Sequence, residues 1–391
     1  MNLDRFRASP AGRVVQVGQG IAAYWAFLPN PLPPSLTWDP ELVHTLSAAD
    51  RALGQLAGLG RALPNPHLLI RPFIRREAVL SSRIEGTQTD LPLLYAYEAG
   101  QLALPGIEPT PPEADMREVL NYVHALEYGL ERLHTLPISL RLLREVHGKL
   151  MHGVRGEQAT PGEFSRSQNW IGAPGSLLKD ATYVPPPPAE LMDTLAAFEA
   201  YLYAEDLLPP LVRLALIHYQ FEAIHPFLDG NGRIGRLLMT LLLVHWELLP
   251  MPLLYLSAYF EHRRDDYYRL LLEVSASGAW RAWLLFFLTG VAEQAIDAVQ
   301  RAGKLQDLQV EWSRRLSTTR TSANLLRLAN FLFDMPVLTI SDAAKALHVT
   351  YVTGQRLIDR LVREGILSTL DDRTYGKVYV AHDILAVLRA G

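Results

Sequence analysis

Twelve residues near the middle of the chain constrain its fold and its chemistry more than any others. Residues 225–236 read His-Pro-Phe-Leu-Asp-Gly-Asn-Gly-Arg-Ile-Gly-Arg, and apolar patterns of helical period flank them on both sides. Glycine lets the backbone approach a ligand closely and turn its N–H groups toward it. A helix that begins at about Arg233 directs its positive end to the same place. The pattern predicts a polyphosphate-binding loop between two core helices.

The same segment also carries groups that can do chemistry on a bound phosphate. His225 supplies an imidazole, and Asp229 supplies a carboxylate that suits a hard cation. Arg233 and Arg236 are three residues apart, so both project from one face of the following helix. A glycine turn between two core helices would need none of these side chains. We therefore interpret the segment as a ligand site with a base and a metal ligand.

Composition excludes several other kinds of protein. The 391 residues contain no cysteine, which excludes disulfides, thiolate chemistry and cysteine-ligated zinc. The formal net charge of -4 does not favour a dedicated polyanion binder. The N-terminus lacks the apolar core of a secretory signal, and stretches such as residues 237–249 are too short to span a bilayer. We expect a cytoplasmic protein without membrane contact.

Helical periodicity dominates the rest of the chain and predicts an all-α fold. An extended arm with a short β-like run at residues 13–17 precedes the first helix, and a Gly/Pro-rich stretch at residues 160–188 predicts a loop or small hairpin. The first predicted helix begins at residue 39, and others cover residues 66–84, 113–133 and 139–151. Helices resume at residue 189, include the apolar patterns at residues 211–222 and 237–246, and continue over residues 267–275, 279–308 and 322–334.

The last part of the chain has the layout of a winged helix-turn-helix. A helix, a turn, a second helix at residues 350–364 and a charged hairpin follow one another there. The second helix carries Arg356, Arg360 and Arg363 but also Asp359 and Glu364, so its face is nearly neutral. DNA binding needs net neutralisation of phosphates, and winged helices also dock proteins or form dimers. DNA, a protein partner and a homodimer all stay open.

Residues 225–236 resemble the signature of the Fic (Fic/Doc) family, His-x-Phe-x-(Asp/Glu)-Gly-Asn-Gly-Arg-x-x-Arg, at every defined position. The resemblance implies a protein adenylyltransferase that moves AMP from ATP to a hydroxyl side chain of a target protein or of itself. It also implies a Fic-type helical core with a small β-hairpin flap. With the periodicity, it gives an N-terminal helical domain at residues 1–112, a catalytic domain at residues 113–312 and a winged helix at residues 318–391.

The family roles map onto chemistry that these side chains can perform. His225 would be the general base, and Asp229 would hold Mg²⁺ against the α- and β-phosphates. Phosphates would be bound by backbone N–H donors and guanidinium groups of Gly230, Asn231, Gly232, Arg233 and Arg236. Attack would occur at the α-phosphorus, with pyrophosphate leaving.

A second short motif resembles the inhibitory sequence of the same family. Residues 81–86 read Ser-Ser-Arg-Ile-Glu-Gly and match the pattern (Ser/Thr)-x-x-x-Glu-(Gly/Asn). The Glu85 carboxylate would pair with Arg236 and deprive the γ-phosphate of its partner. Ser81 lies one helical turn earlier on the same face and would buttress the loop. Taken without the signature, Glu85 would be only a solvated charge at a helix end.

Two further sets of residues follow from the resemblance. Thr182, Tyr183 and Val184 lie in the stretch that looks like the target-positioning flap, where a target peptide would add as a strand. The adenine pocket is expected at Tyr259, Glu261 and His262, although many family members have asparagine at the position of His262.

Two other readings of the same residues stay open. With Glu85 orienting a water molecule, the site would remove AMP from a modified protein. Alternatively, the winged helix would be a transcriptional regulator and the Fic core a nucleotide sensor.

Overall fold

The computed structural model describes residues 1–20, 23–62, 67–99, 113–154, 160–173, 175–205, 207–317, 322–369 and 377–389. Within these ranges the chain is mostly helical, as predicted, with strands confined to two small antiparallel sheets. The helices are α1 Leu3–Phe6, α2 Pro40–Ala62, α3 His67–Ile84, α4 Leu91–Glu98, α5 Glu113–Arg132, α6 Leu140–Leu150, α7 Pro188–Leu202, α8 Pro210–Ile224, α9 Asn231–His245, α10 Ser257–His262, α11 Arg264–Ser277, α12 Trp280–Leu316, α13 Ala323–Asp334, α14 Ile340–Leu347, α15 Tyr351–Arg363 and α16 His382–Arg389. The strands are β1 Gly12–Val17, β2 Tyr24–Pro29, β3 Val337–Thr339, β4 Ser368–Thr369 and β5 Val378–Val380.

The N-terminal arm differs from the sequence expectation because part of it is a hairpin. The β-like run at residues 13–17 lies in β1, which pairs antiparallel with β2. The extended arm thus gains a second strand, whose aromatic residues favour a pleated, half-buried surface. β2 also reaches the flap, since the Phe27 N–H donates to the Val184 carbonyl over 2.8 Å.

The helix α3 connects several parts of the molecule. It packs against α5, α10 and α13, and it ends at the inhibitory motif. Gly86 follows the helix with a φ of 103°, a conformation that favours glycine, and its N–H donates to the Arg83 carbonyl over 3.0 Å. This sharp end leaves the Glu85 side chain at the start of the loop that follows.

The helices α8 and α9 carry the predicted loop between them. α8 begins with proline at its first position, where the missing N–H costs nothing. Nearly all of its residues and those of α9 are buried, so the pair lies in the centre of the core rather than at its edge. Two left-handed residues, His225 at the end of α8 and Gly230 before α9, turn the chain sharply between the helices. The sequence predicts that α9 begins at about Arg233, whereas the helix begins two residues earlier, at Asn231.

The C-terminal part folds as a winged helix, with strand order β3-β5-β4. Side chains cap both helices of its helix-turn-helix: Thr339 forms a capping box with Asp342, and Thr350 accepts from the Thr353 N–H. Of the charges expected in the wing, Asp371, Asp372 and Arg373 lie outside the described residues, and Lys377 directly precedes β5. This part docks on the rest of the chain, since α13 packs on α3 and the Arg71–Asp334 ion pair joins them at 2.9 Å.

The longest helix of the described residues, α12, continues eight residues beyond the predicted end at residue 308. By length and composition alone it is the one described helix that would suffice to cross a bilayer. It packs along α2, however, and buries Trp283, Leu284 and Phe287 completely in the protein core. Its apolar face is therefore used within the protein.

Candidate active site

His225 ends α8 in a left-handed conformation, with φ 48° and ψ 58°. Its Nδ1 lies 3.3 Å from the Glu222 carbonyl oxygen, which can only accept a hydrogen bond. Nδ1 therefore carries the proton, and the lone pair is on Nε2. Burial lowers the pKa of the imidazole to about 4, so the ring is neutral near pH 7 and Nε2 can accept a proton.

The Asn231 side chain folds the loop onto itself. Its Oδ1 accepts from the Phe227 N–H over 2.8 Å, and its Nδ2 donates to the Phe227 carbonyl over 2.7 Å. Phe227 itself is fully buried. Asn231 is buried to 2% exposure, so its side chain serves the loop and only its backbone N–H is available to an anion.

Arg236 is held in place by Ser81 as well as by Glu85. Its Nε donates to Ser81 Oγ over 2.8 Å, and its Nη2 donates to the Ser81 carbonyl over 3.0 Å and to Glu85 Oε1 over 2.7 Å. Burial opposes ionisation of Glu85, but attraction to Arg236 outweighs it and lowers the pKa of the carboxyl. The structure thus brings together the three residues that the two motifs predict.

The Glu85 carboxylate lies against the first turn of α9, where the helix N-terminus favours an anion. A Cβ at Gly232 would clash with Glu85 Oε1 and lie 2.9 Å from Arg236 Nη1. Only glycine therefore allows an oxyanion to come this close to the backbone. Glu85 occupies the place that the sequence predicts for a phosphate.

Arg233 takes a different position from its neighbour on the helix. It is buried to 3% exposure, and its Nη1 lies 3.3 Å from Glu118 Oε2 on α5. Its Nη2 is 3.6 Å from Asp229 Oδ1. The guanidinium is therefore shared between a buried carboxylate and the loop.

Asp229 fits a magnesium ion as one ligand among several. Its side chain is 47% exposed, and Oδ1 accepts from the Gly230 N–H over 2.6 Å. Among the described residues no group of three or more His, Asp or Glu side chains is arranged to hold a metal ion. Mg²⁺ commonly binds through one or two carboxylates together with substrate phosphates and water, so a single exposed carboxylate is sufficient. The Gly230 N–H, however, is engaged by Asp229 rather than free for a phosphate.

Two family models match adjoining parts of the sequence. The model for the Fic/DOC family N-terminal region matches residues 43–131, and the model for the Fic/DOC family matches residues 137–243. Together they cover half of the chain, including both motifs and the whole catalytic loop. The chain belongs to the Fic/DOC family.

Curated relatives carry the name protein adenylyltransferase Fic. The protein from Nematostella vectensis is 28% identical over 241 residues, which are 61% of this chain and 51% of the relative. The protein from Culex quinquefasciatus is 32% identical over 162 residues, 41% of this chain and 29% of the relative. The chain thus spans about half or less of the length of these Fic relatives.

Solved structures of Fic proteins share the fold. A Fic family protein from Desulfovibrio desulfuricans G20 aligns with a TM-score of 0.58 at 20% identity, over 90% of this chain and 98% of the other. Fic-1 from C. elegans aligns with a TM-score of 0.53 at 22% identity, over 69% of this chain and 75% of the other. The first alignment covers most of the chain and confirms the Fic-type fold.

The predicted adenine residues of the Fic site lie on or near α10. Tyr259 is buried, and the Arg263 guanidinium lies 4.2 Å from its ring centroid. Glu261 lies 3.9 Å from Arg83 Nη1, close to the inhibitory motif, whereas His262 is exposed. Of the three side chains, Glu261 is the one that an ion pair links to the helix of Glu85.

In the predicted flap of the Fic site, an antiparallel bridge joins Ile171 to Tyr183. Thr182 is exposed, but Tyr183 and Val184 are buried. The Tyr183 hydroxyl donates to the Ala223 carbonyl over 2.8 Å, which ties the flap to the end of α8. Only Thr182 of the three predicted residues presents its side chain to solvent.

Three residues that contact the Fic loop were missed by sequence reasoning. The residues are Glu118, His147 and Asn169, which lie 115, 82 and 56 residues from their partners in the loop. His147 Nδ1 accepts from the Gly162 N–H over 2.8 Å, so Nε2 carries the proton and donates to the Asp229 carbonyl over 3.1 Å. No spacing rule connects such distant positions. His147 lies on the buried face of α6, where a helical pattern predicts packing rather than a contact with the loop.

A buried carboxyl group lies on α3, about two helical turns before Glu85. Glu77 accepts hydrogen bonds from the Tyr122 hydroxyl over 3.1 Å and from Ser257 Oγ over 2.5 Å. Burial raises the pKa of Glu77 to about 7. These contacts fix α3 to α5 and α10, so the inhibitory end projects from an anchored helix.

Proposed function

We propose that the protein transfers AMP from ATP to a hydroxyl side chain of a target protein or of itself, and that Glu85 inhibits the transfer. The observation that carries the proposal is the Glu85 carboxylate, paired with Arg236 at 2.7 Å against the first turn of α9. A carboxylate at this place competes with a phosphate for the same guanidinium and the same helix N-terminus. The names of the curated relatives agree with this activity.

The residues of the loop divide the reaction between them. His225 Nε2 takes the proton of the attacking hydroxyl, whose oxygen then forms a bond to the α-phosphorus as the bond to pyrophosphate breaks. Backbone N–H groups of the first turn of α9 and the Arg236 guanidinium bind the outer phosphates once Glu85 has moved. Mg²⁺ at Asp229 would neutralise phosphate charge. The side chains that these steps need, His225, Asp229 and Arg236, are all present within residues 225–236.

Adenine and the target peptide would bind in two different regions of the site. Adenine would lie near Glu261 and α10, and the target peptide would approach the exposed Thr182 edge of the flap. One end of that edge is covered, since the Val184 carbonyl already accepts from β2. A cytoplasmic location fits the proposed use of ATP.

The test is self-modification measured by intact-mass spectrometry after incubation with ATP and Mg²⁺. We expect little incorporation in the wild type and at least a tenfold faster gain of one adenylyl group in Glu85→Gly. Glu85→Gln, which keeps the shape and loses the charge, should lie between them. Glu273→Gln removes an exposed ion pair on α11 and is the matched control with wild-type behaviour.

His225→Ala in the Glu85→Gly background should abolish the mass gain, because no other group at the loop takes the proton. If Glu85→Gly incorporates AMP no faster than the wild type, the inhibitory role is wrong. If the double variant keeps the rate of the single one, the assignment of the base is wrong. Release of AMP by the wild type from purified, modified Glu85→Gly protein would favour removal of AMP instead.

A further inference from the structure

Asn169 lies at the base of the flap and reaches the catalytic loop with its side-chain amide. Its Nδ2 donates to the His225 carbonyl over 2.9 Å and to the Phe227 carbonyl over 2.8 Å. Both N–H bonds of the amide group are thereby used on the loop. No substrate or inhibitory role accounts for this side chain.

The His225 carbonyl needs such a partner because of the backbone conformation at this residue. A left-handed conformation costs a residue with a Cβ about 1–2 kcal/mol, and it turns the carbonyl away from the axis of α8. The surrounding structure must supply contacts that make the conformation stable. Asn169 binds the carbonyls on both sides of Pro226, and the Ser165 N–H donates to the Pro226 carbonyl over 2.8 Å.

The same stretch of chain also forms the target side of the site. Asn169 precedes Ile171, which bridges to Tyr183 across the flap, by only two residues. Gln168 fixes the neighbouring position through other contacts: its Nε2 donates to the backbone carbonyls of Asn169 and Pro185, and its Oε1 accepts from the Tyr24 hydroxyl over 3.0 Å. Gln168 therefore holds the flap to its surroundings, whereas Asn169 holds the loop to the flap.

We infer that Asn169 is a positioning residue that fixes the His225 imidazole and connects its orientation to the flap. The inference rests on the proposed function for its kinetic consequence, but the orientation of the ring is measurable without any reaction. A target strand that adds beside Ile171 would then affect the position of the His225 ring through the backbone of residues 169–171 and the Asn169 side-chain amide. Asn169 would touch neither ATP nor the transferred group.

The kinetic test uses the full chain in the Glu85→Gly background, with Asn169→Ala and Asn169→Asp. The rate constant of self-adenylylation at saturating ATP should fall about 10- to 100-fold, because a small misplacement of a reacting group has an effect of that size. The KM for ATP should stay within about twofold, since the phosphate loop is untouched. Asn169→Asp should be the more impaired, because its carboxylate faces two carbonyl oxygens and cannot donate.

The structural test follows the His225 ring by NMR with histidine-selective labelling, and the His225→Ala spectrum assigns its signal. In Asn169→Ala the Cε1–H shift should change, and its titration midpoint should move toward the ordinary value of about 6.5. Gln168→Ala, the matched control, should keep both the rate constant and the His225 signal.

An unchanged rate constant together with an unchanged His225 signal in Asn169→Ala would overturn the inference. Equal losses in Gln168→Ala and Asn169→Ala would also overturn it, since the flap as a whole would then be responsible. If the chain transfers no AMP at all, the proposed function fails, yet the NMR comparison still decides whether Asn169 positions His225. Thermal unfolding of both variants near the wild-type temperature excludes loss of the fold as the cause.

Discussion

At the scale of single residues, Arg236 and Glu85, which form the central ion pair, differ in how firmly their side chains are held. The Arg236 side chain is 1% exposed and has two further hydrogen bonds to Ser81, whereas the Glu85 side chain is 34% exposed. The two hydrogen bonds to Ser81 do not involve Glu85, so they continue to hold the guanidinium when the carboxylate moves away. Under the proposed function, release of inhibition would therefore require movement of Glu85 and would leave Arg236 in place.

His147 makes a prediction about acid stability. Burial lowers the pKa of its imidazole to about 4, below the ordinary 6.5 of an unfolded chain. The unfolded state therefore binds more protons below pH 6.5, and the stability present above that pH is lost as the pH falls toward 4. We expect the wild type to lose about 2 kcal/mol more than His147→Gln between pH 7 and pH 5.

Urea unfolding at several pH values measures this difference in the free energy of unfolding. His44→Gln, which replaces an exposed histidine of α2, is the control and should follow the wild-type pH dependence. Parallel curves for the wild type and His147→Gln would contradict the role of the buried imidazole.

At the scale of elements, buried contacts hold the middle of α3 in place, and Glu85 directly follows the end of the helix. Glu77 and Ser81 are buried in contacts with α5, α9 and α10, and the helix ends at Ile84, just before Glu85. The position of Glu85 thus depends on how the chain leaves the helix. A local change at this exit should alter inhibition without disturbing the loop at His225.

Gly86→Ala tests that dependence. The φ of 103° is unfavourable for alanine and should cost about 1–2 kcal/mol, although no atom lies within 4 Å of an added Cβ. The strain should displace Glu85 and raise the rate of self-adenylylation several-fold. Gly54→Ala, in the open interior of α2, is the control and should leave the rate unchanged. A loss of thermal stability without any gain in rate would exclude this coupling.

At the scale of the whole molecule, the winged helix shares its hydrophobic core with the catalytic part. One cluster of buried side chains extends from Phe6 to Leu388 through the described residues. α13 packs on α3, α16 packs on α12, and the Arg301 guanidinium donates to the Val387 carbonyl. α3 ends at Ile84, so a partner that binds the winged helix would act on the helix that directly precedes Glu85, the proposed inhibitory residue.

A shared core predicts one cooperative unfolding transition. Leu332→Ala in α13 removes a fully buried side chain, which costs about 2–5 kcal/mol, and should lower the Tm of the whole transition by several degrees. Val310→Ala, at a residue 63% exposed on α12, should change the Tm little. Differential scanning calorimetry would contradict the shared core if the Leu332→Ala variant showed a separate early transition.

Much of the architecture could be predicted because its signals are local. Helical period, caps and proline positions placed α3, α5, α6, α13 and α15 within a few residues of their observed bounds. The second strand of the N-terminal hairpin was not predicted, since its pairing and its contact with Val184 depend on chain that is distant in sequence.

The sequence by itself determined the chemistry of the loop, since His225, Asp229, the glycines and the two arginines are adjacent and their spacing is fixed by the helix. It also indicated the partner of Arg236, because Ser81 and Glu85 share one helical face. Only the tertiary structure decided where the guanidinium groups point, with Arg236 at Glu85 and Arg233 at Glu118. It alone brought His147 and Asn169 to the loop, because contacts between distant segments arise from packing and leave no periodic signal.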